Sequence, residues 1–176
     1  MDYPIILRDA LPIKLFMSMQ DDLRFWEMSN GSGGDHPKFL GNTDVTPLIF
    51  KEAQTIVKYK LQKHFDHHLE SIRVHLNAAL PNQAASQFHK DNPADEYLTF
   101  VLYTSPSWNV QWGGETVMFD GETYKYVPYI PNTGCLFPSK WEHYGASPNA
   151  HTTHLRTSIA FVYKVCYNHP IKTNKL

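Results

Sequence analysis

The segment of this chain best suited to chemistry is His89-Lys90-Asp91. An imidazole and a carboxylate two positions apart project to the same side of a strand end or tight turn, so both can reach one point. Two imidazoles and one carboxylate on one face of an octahedral ion, with three positions left open, suit ferrous iron and leave room for a bidentate ligand and for dioxygen. His-x-Asp supplies two members of such a set, and a third must come from elsewhere. By itself the pattern is weak, because in a chain with ten histidines it also arises as a solvated turn.

The surroundings strengthen it. Gln87-Phe88 reads as a strand end, and Asn92-Pro93-Ala94-Asp95 as a turn. Glu96-Tyr97-Leu98-Thr99-Phe100-Val101-Leu102-Tyr103 is aromatic and β-branched, which predicts a buried strand. The pair is therefore expected at the lip of a sheet.

From His89 onward the chain resembles the iron and 2-oxoglutarate dependent dioxygenases, within them the prolyl 4-hydroxylase-like branch. His89-Lys90-Asp91-Asn92-Pro93 resembles the family's first ligand motif, and Thr99-Phe100-Val101-Leu102-Tyr103-Thr104-Ser105 with Trp108 its strand ending in tyrosine and its tryptophan-bearing turn. Trp112-Gly113-Gly114-Glu115-Thr116 with Phe119 is similar to its Gly-Gly-Glu-Thr hairpin, and His143 with Arg156-x-Ser158 to its distal ligand and cosubstrate arginine. The resemblance covers about half of the chain. It implies that His89, Asp91 and His143 hold Fe(II). It implies too that Arg156, Tyr103 and Ser158 seat the far carboxylate of 2-oxoglutarate, a task suited to a planar guanidinium that donates two parallel hydrogen bonds. The resemblance also implies dioxygen as the further cosubstrate and ascorbate as a reductant.

Three histidines compete for the distal position. His154 lies two before Arg156 on what should be one strand, too near to serve both the iron and the far end of the cosubstrate. His151 falls in Ser147-Pro148-Asn149-Ala150-His151-Thr152-Thr153, which reads as a loop. His143 follows the apolar run Cys135-Leu136-Phe137-Pro138, as the family pattern requires. The resemblance places it and Arg156 on paired strands, with the residues beyond the family's usual spacing in the hairpin loop between them.

Other candidates give way to plainer readings. His64, His67 and His68 are expected in a solvated last helical turn, where cations suit the helix dipole. Cys135 and Cys166 lack Cys-x-x-Cys spacing and read as buried strand thiols, reduced and free. Gly113-Gly114 and Gly31-Ser32-Gly33-Gly34 lack phosphate-binding fingerprints and read as turn and loop residues.

Composition sets the outer bounds. At 176 residues the chain is expected to form one catalytic domain, 1–176, with a core large enough to need no staples. A net charge of −1 gives no footprint for nucleic acid. Two cysteines suit a reducing compartment, and neither a secretory signal nor an apolar run of membrane-spanning length is evident, so the expected location is cytoplasmic and no membrane partner is foreseen.

The elements that must position these residues divide into a helical part, about 1–69, and a β-rich part, about 70–168. Leu11, Leu15, Phe16, Met19, Leu23 and Trp26 recur at helical spacing and predict a helix over 12–28. Thr46-Pro47 signals a second helix start, and an apolar face from Leu48 to Phe65 carries it to about His68. Eight or so short strands should follow, giving a mainly β protein whose double-stranded β-helix, or jelly roll, is buttressed by the two helices. Between the helices, residues 29–44 read as a long polar loop, either a rim of the substrate site or a plain connector. By the resemblance Trp108, Trp112 and Trp141 stand on other rim segments. The expected activity is hydroxylation of a C–H bond, of a prolyl residue in a peptide or protein. The alternatives are a free amino acid or small metabolite as substrate, or a jelly-roll binding module without chemistry.

Overall fold

A computed structural model of the chain describes residues 2–23, 26–29, 38–41, 47–83 and 87–170. Two helices and ten strands are found among them. Helix α1 (Ile13–Asp22) buries Phe16 and Met19, as their spacing requires. It stops well short of residue 28, and Trp26 opens strand β2 (Trp26–Ser29) instead. The reason is non-local pairing: β2 forms an antiparallel hairpin with β3 (Lys38–Gly41), and β3 bonds to the edge of β4 (His67–Ala79). Helical periodicity cannot register such a partner. Residues 38–41, expected within a loop, thus form a strand, while 30–37 and 42–46, including Thr46, lie outside the described residues.

Helix α2 (Leu48–Gln62) begins after Pro47 and buries Phe50, Ala53, Val57 and Leu61. It ends six residues earlier than expected because Gln62 turns the chain. Its amide nitrogen donates to His67 O at 2.7 Å and its amide oxygen accepts from Leu69 N at 2.9 Å, which starts β4. His67 and His68 are therefore the first residues of β4 rather than a helical turn.

Seven strands follow α2 in the chain, and the sheets are two. The larger has the order β1-β8-β5-β10-β4-β3-β2, built with β1 (Ile5–Leu7), β5 (Tyr97–Tyr103), β8 (Gly134–Pro138) and β10 (Arg156–Pro170). The smaller has the order β7-β6-β9, from β6 (Thr116–Phe119), β7 (Tyr124–Val127) and β9 (Glu142–Gly145). This is a jelly roll with helices against its larger sheet.

Strand alternation divides the core. Leu98, Phe100 and Leu102 of β5, Leu136 of β8, and Ile159, Phe161 and Tyr163 of β10 pack with the helical residues Phe16, Met19, Phe50, Val57 and Leu61. Val101, Tyr103, Cys135 and Phe137 point the other way, into the barrel, against Met118 and Val127 of the smaller sheet. Each such fully buried side chain contributes roughly 1.5–3 kcal/mol. β5 is buried on both faces because it lies between helices and barrel, which is why its sequence reads as an unbroken apolar run. Glycine is required at Gly134, where a Cβ would lie 2.3 Å from Phe100 Cζ.

Candidate metal centre

His89 and His143 face each other across an isolated antiparallel bridge. The His89 N–H donates to His143 O at 3.1 Å, and the His143 N–H to His89 O at 2.9 Å. This bridge ties the His89 segment to β9, and β9 is held in turn by β6 through the pair Met118↔His143. Asp91 is fixed from the other sheet: its N–H donates to Ser139 O at 3.1 Å, just beyond the end of β8. The expected turn follows, with Asn92 Oδ1 accepting from Ala94 N at 2.9 Å.

One nitrogen of each imidazole and one oxygen of Asp91 all lie within 4.8 Å of one another, and among the described residues no other such cluster of potential ligands occurs. Backbone carbonyls set the tautomers. His89 Nδ1 is 3.0 Å from Gln87 O and His143 Nδ1 is 3.0 Å from Trp141 O. A carbonyl only accepts, so each Nδ1 carries the hydrogen and each Nε2 keeps its lone pair for a metal. These nitrogens lie 3.9 Å (His89) and 3.5 Å (His143) from the oxygens of Asp91.

The carboxylate is itself braced. Thr99 Oγ1 donates to Asp91 Oδ2 at 2.7 Å and lies 2.8 Å from Ser139 Oγ, while Arg73 Nη2 donates to Oδ1 at 3.3 Å. Burial alone would raise the pKa of this carboxyl. His143, the Thr99 hydroxyl, His89 and Arg73 together outweigh that and hold it below the usual carboxylate value, so Asp91 is anionic at neutral pH. Two imidazoles that present Nε2 to a common point and one carboxylate fit a hard-to-borderline dication such as Fe(II).

Arg156 opens β10 and is buried, with 4% of its surface exposed. Its Nε donates to Gly114 O at 2.7 Å, Nη1 to Ser158 Oγ at 3.2 Å and Nη2 to Thr116 Oγ1 at 3.3 Å. All three acceptors are neutral, and among the described residues no carboxylate pairs with this cation. Of the five N–H groups of a guanidinium, one remains on each terminal nitrogen, the fork that a carboxylate accepts in bidentate fashion. Gly145 lies directly over the guanidinium, since a Cβ there would be 2.9 Å from Arg156 Cζ. Gly145 is also two positions from His143 on β9, one strand repeat of ~7 Å along the same face.

Of the other sequence candidates, Tyr103 and Ser158 join this pocket. The buried Tyr103 hydroxyl is 2.9 Å from Thr116 Oγ1 and 3.3 Å from Val127 O, and its ring lies 5.8 Å from Arg156 Cζ. His154 stacks on Trp112 with ring centroids 5.0 Å apart, and Trp112 also meets Trp108, whose indole N–H donates to Gly113 O at 2.9 Å. The tryptophans thus anchor the Gly113-Gly114 turn, which needs glycine because both φ angles are positive, +75° and +84°. Residues 146–155 connect β9 to β10, as foreseen. The two strands do not pair, however: β9 bonds to β6, and β10 to β4 and β5. The connection crosses from one sheet to the other, so it is longer than a hairpin needs.

Sequence reasoning missed Thr99, Ser139, Arg73, Gly114, Thr116 and Gly145 as supports. A polar residue inside an otherwise apolar strand was the available signal for Thr99, and the Gly-Gly-Glu-Thr motif for Gly114 and Thr116.

Residues 54–164, more than half of the chain, match the family model described as the 2OG-Fe(II) oxygenase superfamily. No curated protein matches the sequence. Among solved structures, a prolyl-4-hydroxylase from Pseudomonas putida is similar with a TM-score of 0.63 at 13% identity, over 93% of this chain and 92% of that one. HygX from Streptomyces hygroscopicus, solved with nickel, 2-oxoglutarate and hygromycin B, gives 0.68 at 10% identity over 93% and 83%. A prolyl hydroxylase from Trichoplax adhaerens, in complex with a hypoxia inducible factor oxygen degradation domain peptide fragment, gives 0.66 at 13% over 92% and 83%. At these identities the structures attest the shared fold, and the family match carries the assignment. The chain belongs to the 2OG-Fe(II) oxygenase superfamily, with a prolyl 4-hydroxylase-like fold, and is a 2-oxoglutarate-dependent Fe(II) dioxygenase.

Proposed function

We propose that His89, Asp91 and His143 hold Fe(II), that Arg156 with Tyr103 and Ser158 seats 2-oxoglutarate, and that the protein hydroxylates a prolyl residue in a peptide or protein. One observation carries the cosubstrate assignment: a buried guanidinium with no acidic partner among the described residues, lying against Gly145, one strand repeat along β9 from His143. That span suits a five-carbon diacid whose 2-oxo end chelates the metal. Bound iron supplies the activation of dioxygen, coupling decarboxylation of 2-oxoglutarate to succinate and carbon dioxide with insertion of one oxygen atom into a C–H bond.

The chain's own groups do the positioning. Gln87 O and Trp141 O hold both histidines as Nδ1–H tautomers, Thr99 and Ser139 fix the plane of Asp91, and Gly114, Thr116 and Ser158 aim the guanidinium. The prolyl assignment is supported by the two similar prolyl hydroxylases, one over nearly the whole length of both chains. The similarity to HygX with hygromycin B supports a small-molecule substrate as the second reading. The reading takes residues 1–176 as one domain and its setting as cytosolic, in keeping with two free cysteines and with no described helix long and apolar enough to cross a membrane.

The test is anaerobic loading with Fe(II), then a succinate assay with ascorbate across proline-containing peptides, free amino acids and small metabolites. His89→Ala, Asp91→Ala and His143→Ala should lose metal and turnover, while His151→Ala and His154→Ala stay within a few-fold of the parent. An active His143→Ala beside a dead His154→Ala would overturn the ligand set. Stimulation by metabolites but by no prolyl peptide would replace the prolyl reading with the second.

A further inference from the structure

Arg73 is aimed at the metal centre by an irregularity in β4. Val162 of β10 pairs with Arg73 and the next residue, Tyr163, pairs with Ser71, so Ile72 is an extra residue, a β-bulge. Leu69 and Val74 both pack in the helix-facing core although five positions separate them, an odd interval that strict alternation forbids. The bulge reverses the phase. Without it Arg73 would face the helices with Leu69; with it, Arg73 faces the barrel, followed by His75 and Asn77 on the same face. Bulges are found beside active sites because they redirect a side chain in this way. The cross-strand row Thr99↔Val162↔Arg73 then places two braces of Asp91 on either side of Val162.

Thr99 and Arg73 differ in what they offer. Thr99 is buried and neutral, and it holds Asp91 by a hydrogen bond of 2.7 Å. The Arg73 side chain is 49% exposed and carries a full charge, and its one ion pair among the described residues is with Asp91 at 3.3 Å. With a dication held by the triad, Arg73 would share the single negative charge of Asp91 with the metal, which leaves the two cations undercompensated. Like charges at this range repel, and an anionic group entering from solvent would relieve them.

We infer that Arg73 is a specificity-determining residue that receives a carboxylate of the substrate beside the metal. The inference rests on the prolyl reading above for the placement of that carboxylate, which belongs either to the C-terminus of a free or terminal proline or to an acidic side chain next to the target residue. Arg73 is fixed for this task through its backbone, whose carbonyl accepts from Gln54 Nε2 of α2 at 3.2 Å.

Two size-matched pairs of probes, each pair differing by one negative charge, separate the sources. N-acetylproline against its amide tests a terminal carboxylate; acetyl-Gly-Pro-Glu amide against acetyl-Gly-Pro-Gln amide tests a side chain. Calorimetry on the anaerobic complex of the full chain with Mn(II) and 2-oxoglutarate reads binding without turnover. The parent should bind the acid of at least one pair about tenfold more tightly than its neutral twin. Arg73→Lys should keep most of that preference, and Arg73→Gln should reduce it to within about twofold. Equal binding of both twins by the parent, or a preference that survives in Arg73→Gln, would overturn the inference and leave the prolyl reading standing. A second readout is Mn(II) affinity without any probe: losing a cation beside the metal should tighten it in Arg73→Gln by a few-fold, whereas loss of a mere brace for Asp91 would weaken it. If none of the four probes binds, the prolyl reading fails, and the direction of that Mn(II) shift alone decides whether Arg73 presents an uncompensated cation.

Discussion

Arg156 shows how the site's weight falls on single side chains. A buried guanidinium bonded only to neutral oxygens is costly unless an anion joins it, and hydrogen bonds to charged groups are worth roughly 1.5–3 kcal/mol. Arg156→Lys keeps the charge and loses the fork, so 2-oxoglutarate should bind the anaerobic iron complex about ten- to a hundredfold more weakly, read from its charge-transfer band, while iron affinity holds. Gly145→Ala approaches the same group from above. Its Cβ would press on the guanidinium at 2.9 Å and should weaken 2-oxoglutarate in the same titration without affecting Fe(II). Parent-like cosubstrate binding in both variants would mean that Arg156 is not the anchor. His89, Asp91, His143 and Arg156 are proposed from the sequence on the resemblance of their motifs, and the first three do converge in the structure. Thr99 and Gly145 could not be, since threonine and glycine serve many ends and only the register of β5 and β9 brings them to Asp91 and Arg156.

At the scale of elements, what could be read was whatever local pattern determines. β5 and β8 announced themselves as apolar runs because both their faces are buried. The end of α1, the strands β2 and β3 and the bulge at Ile72 did not, because they depend on pairing between strands, which the periodicity of a single segment does not register. Gly134 is a case where packing between strands can be tested directly. A Cβ there would meet Phe100 Cζ at 2.3 Å and the Val101 carbonyl oxygen at 2.7 Å, and the latter is backbone that cannot step aside. Gly134→Ala should therefore cost about 1–3 kcal/mol in urea denaturation, as overpacked cores do. Stability equal to the parent would show that β8 is free to shift against β5.

For the whole molecule, the barrel interior is a low-dielectric space that keeps its thiol and phenols protonated. Burial pushes the Cys135 thiol up to about 12 and the Tyr103 and Tyr129 hydroxyls above their ordinary value for the same first reason, and does the same to Tyr163 in the helix-facing core. Both cysteines are free, Cys135 buried and Cys166 partly accessible, so native protein should titrate one thiol promptly and the second only on unfolding. The pH dependence follows from the direction of the shift. Below pH 9 the Cys135 thiol is protonated whether the chain is folded or not, and stability does not depend on it. Between 9 and about 12 the unfolded chain ionises this group while the folded chain does not, so stability falls at up to ~1.4 kcal/mol per pH unit; above that range the loss levels off. The tyrosines add to the fall only from pH 10 upward. Going from pH 9 to 10.5 should therefore cost the parent roughly 1.5 kcal/mol from Cys135 alone, a loss that Cys135→Ala escapes although it starts from a lower stability. Urea midpoints of the two proteins at both pH values measure this. Parallel losses would mean that Cys135 ionises inside the folded barrel, and that the interior which holds Arg156 is wetter than its packing indicates.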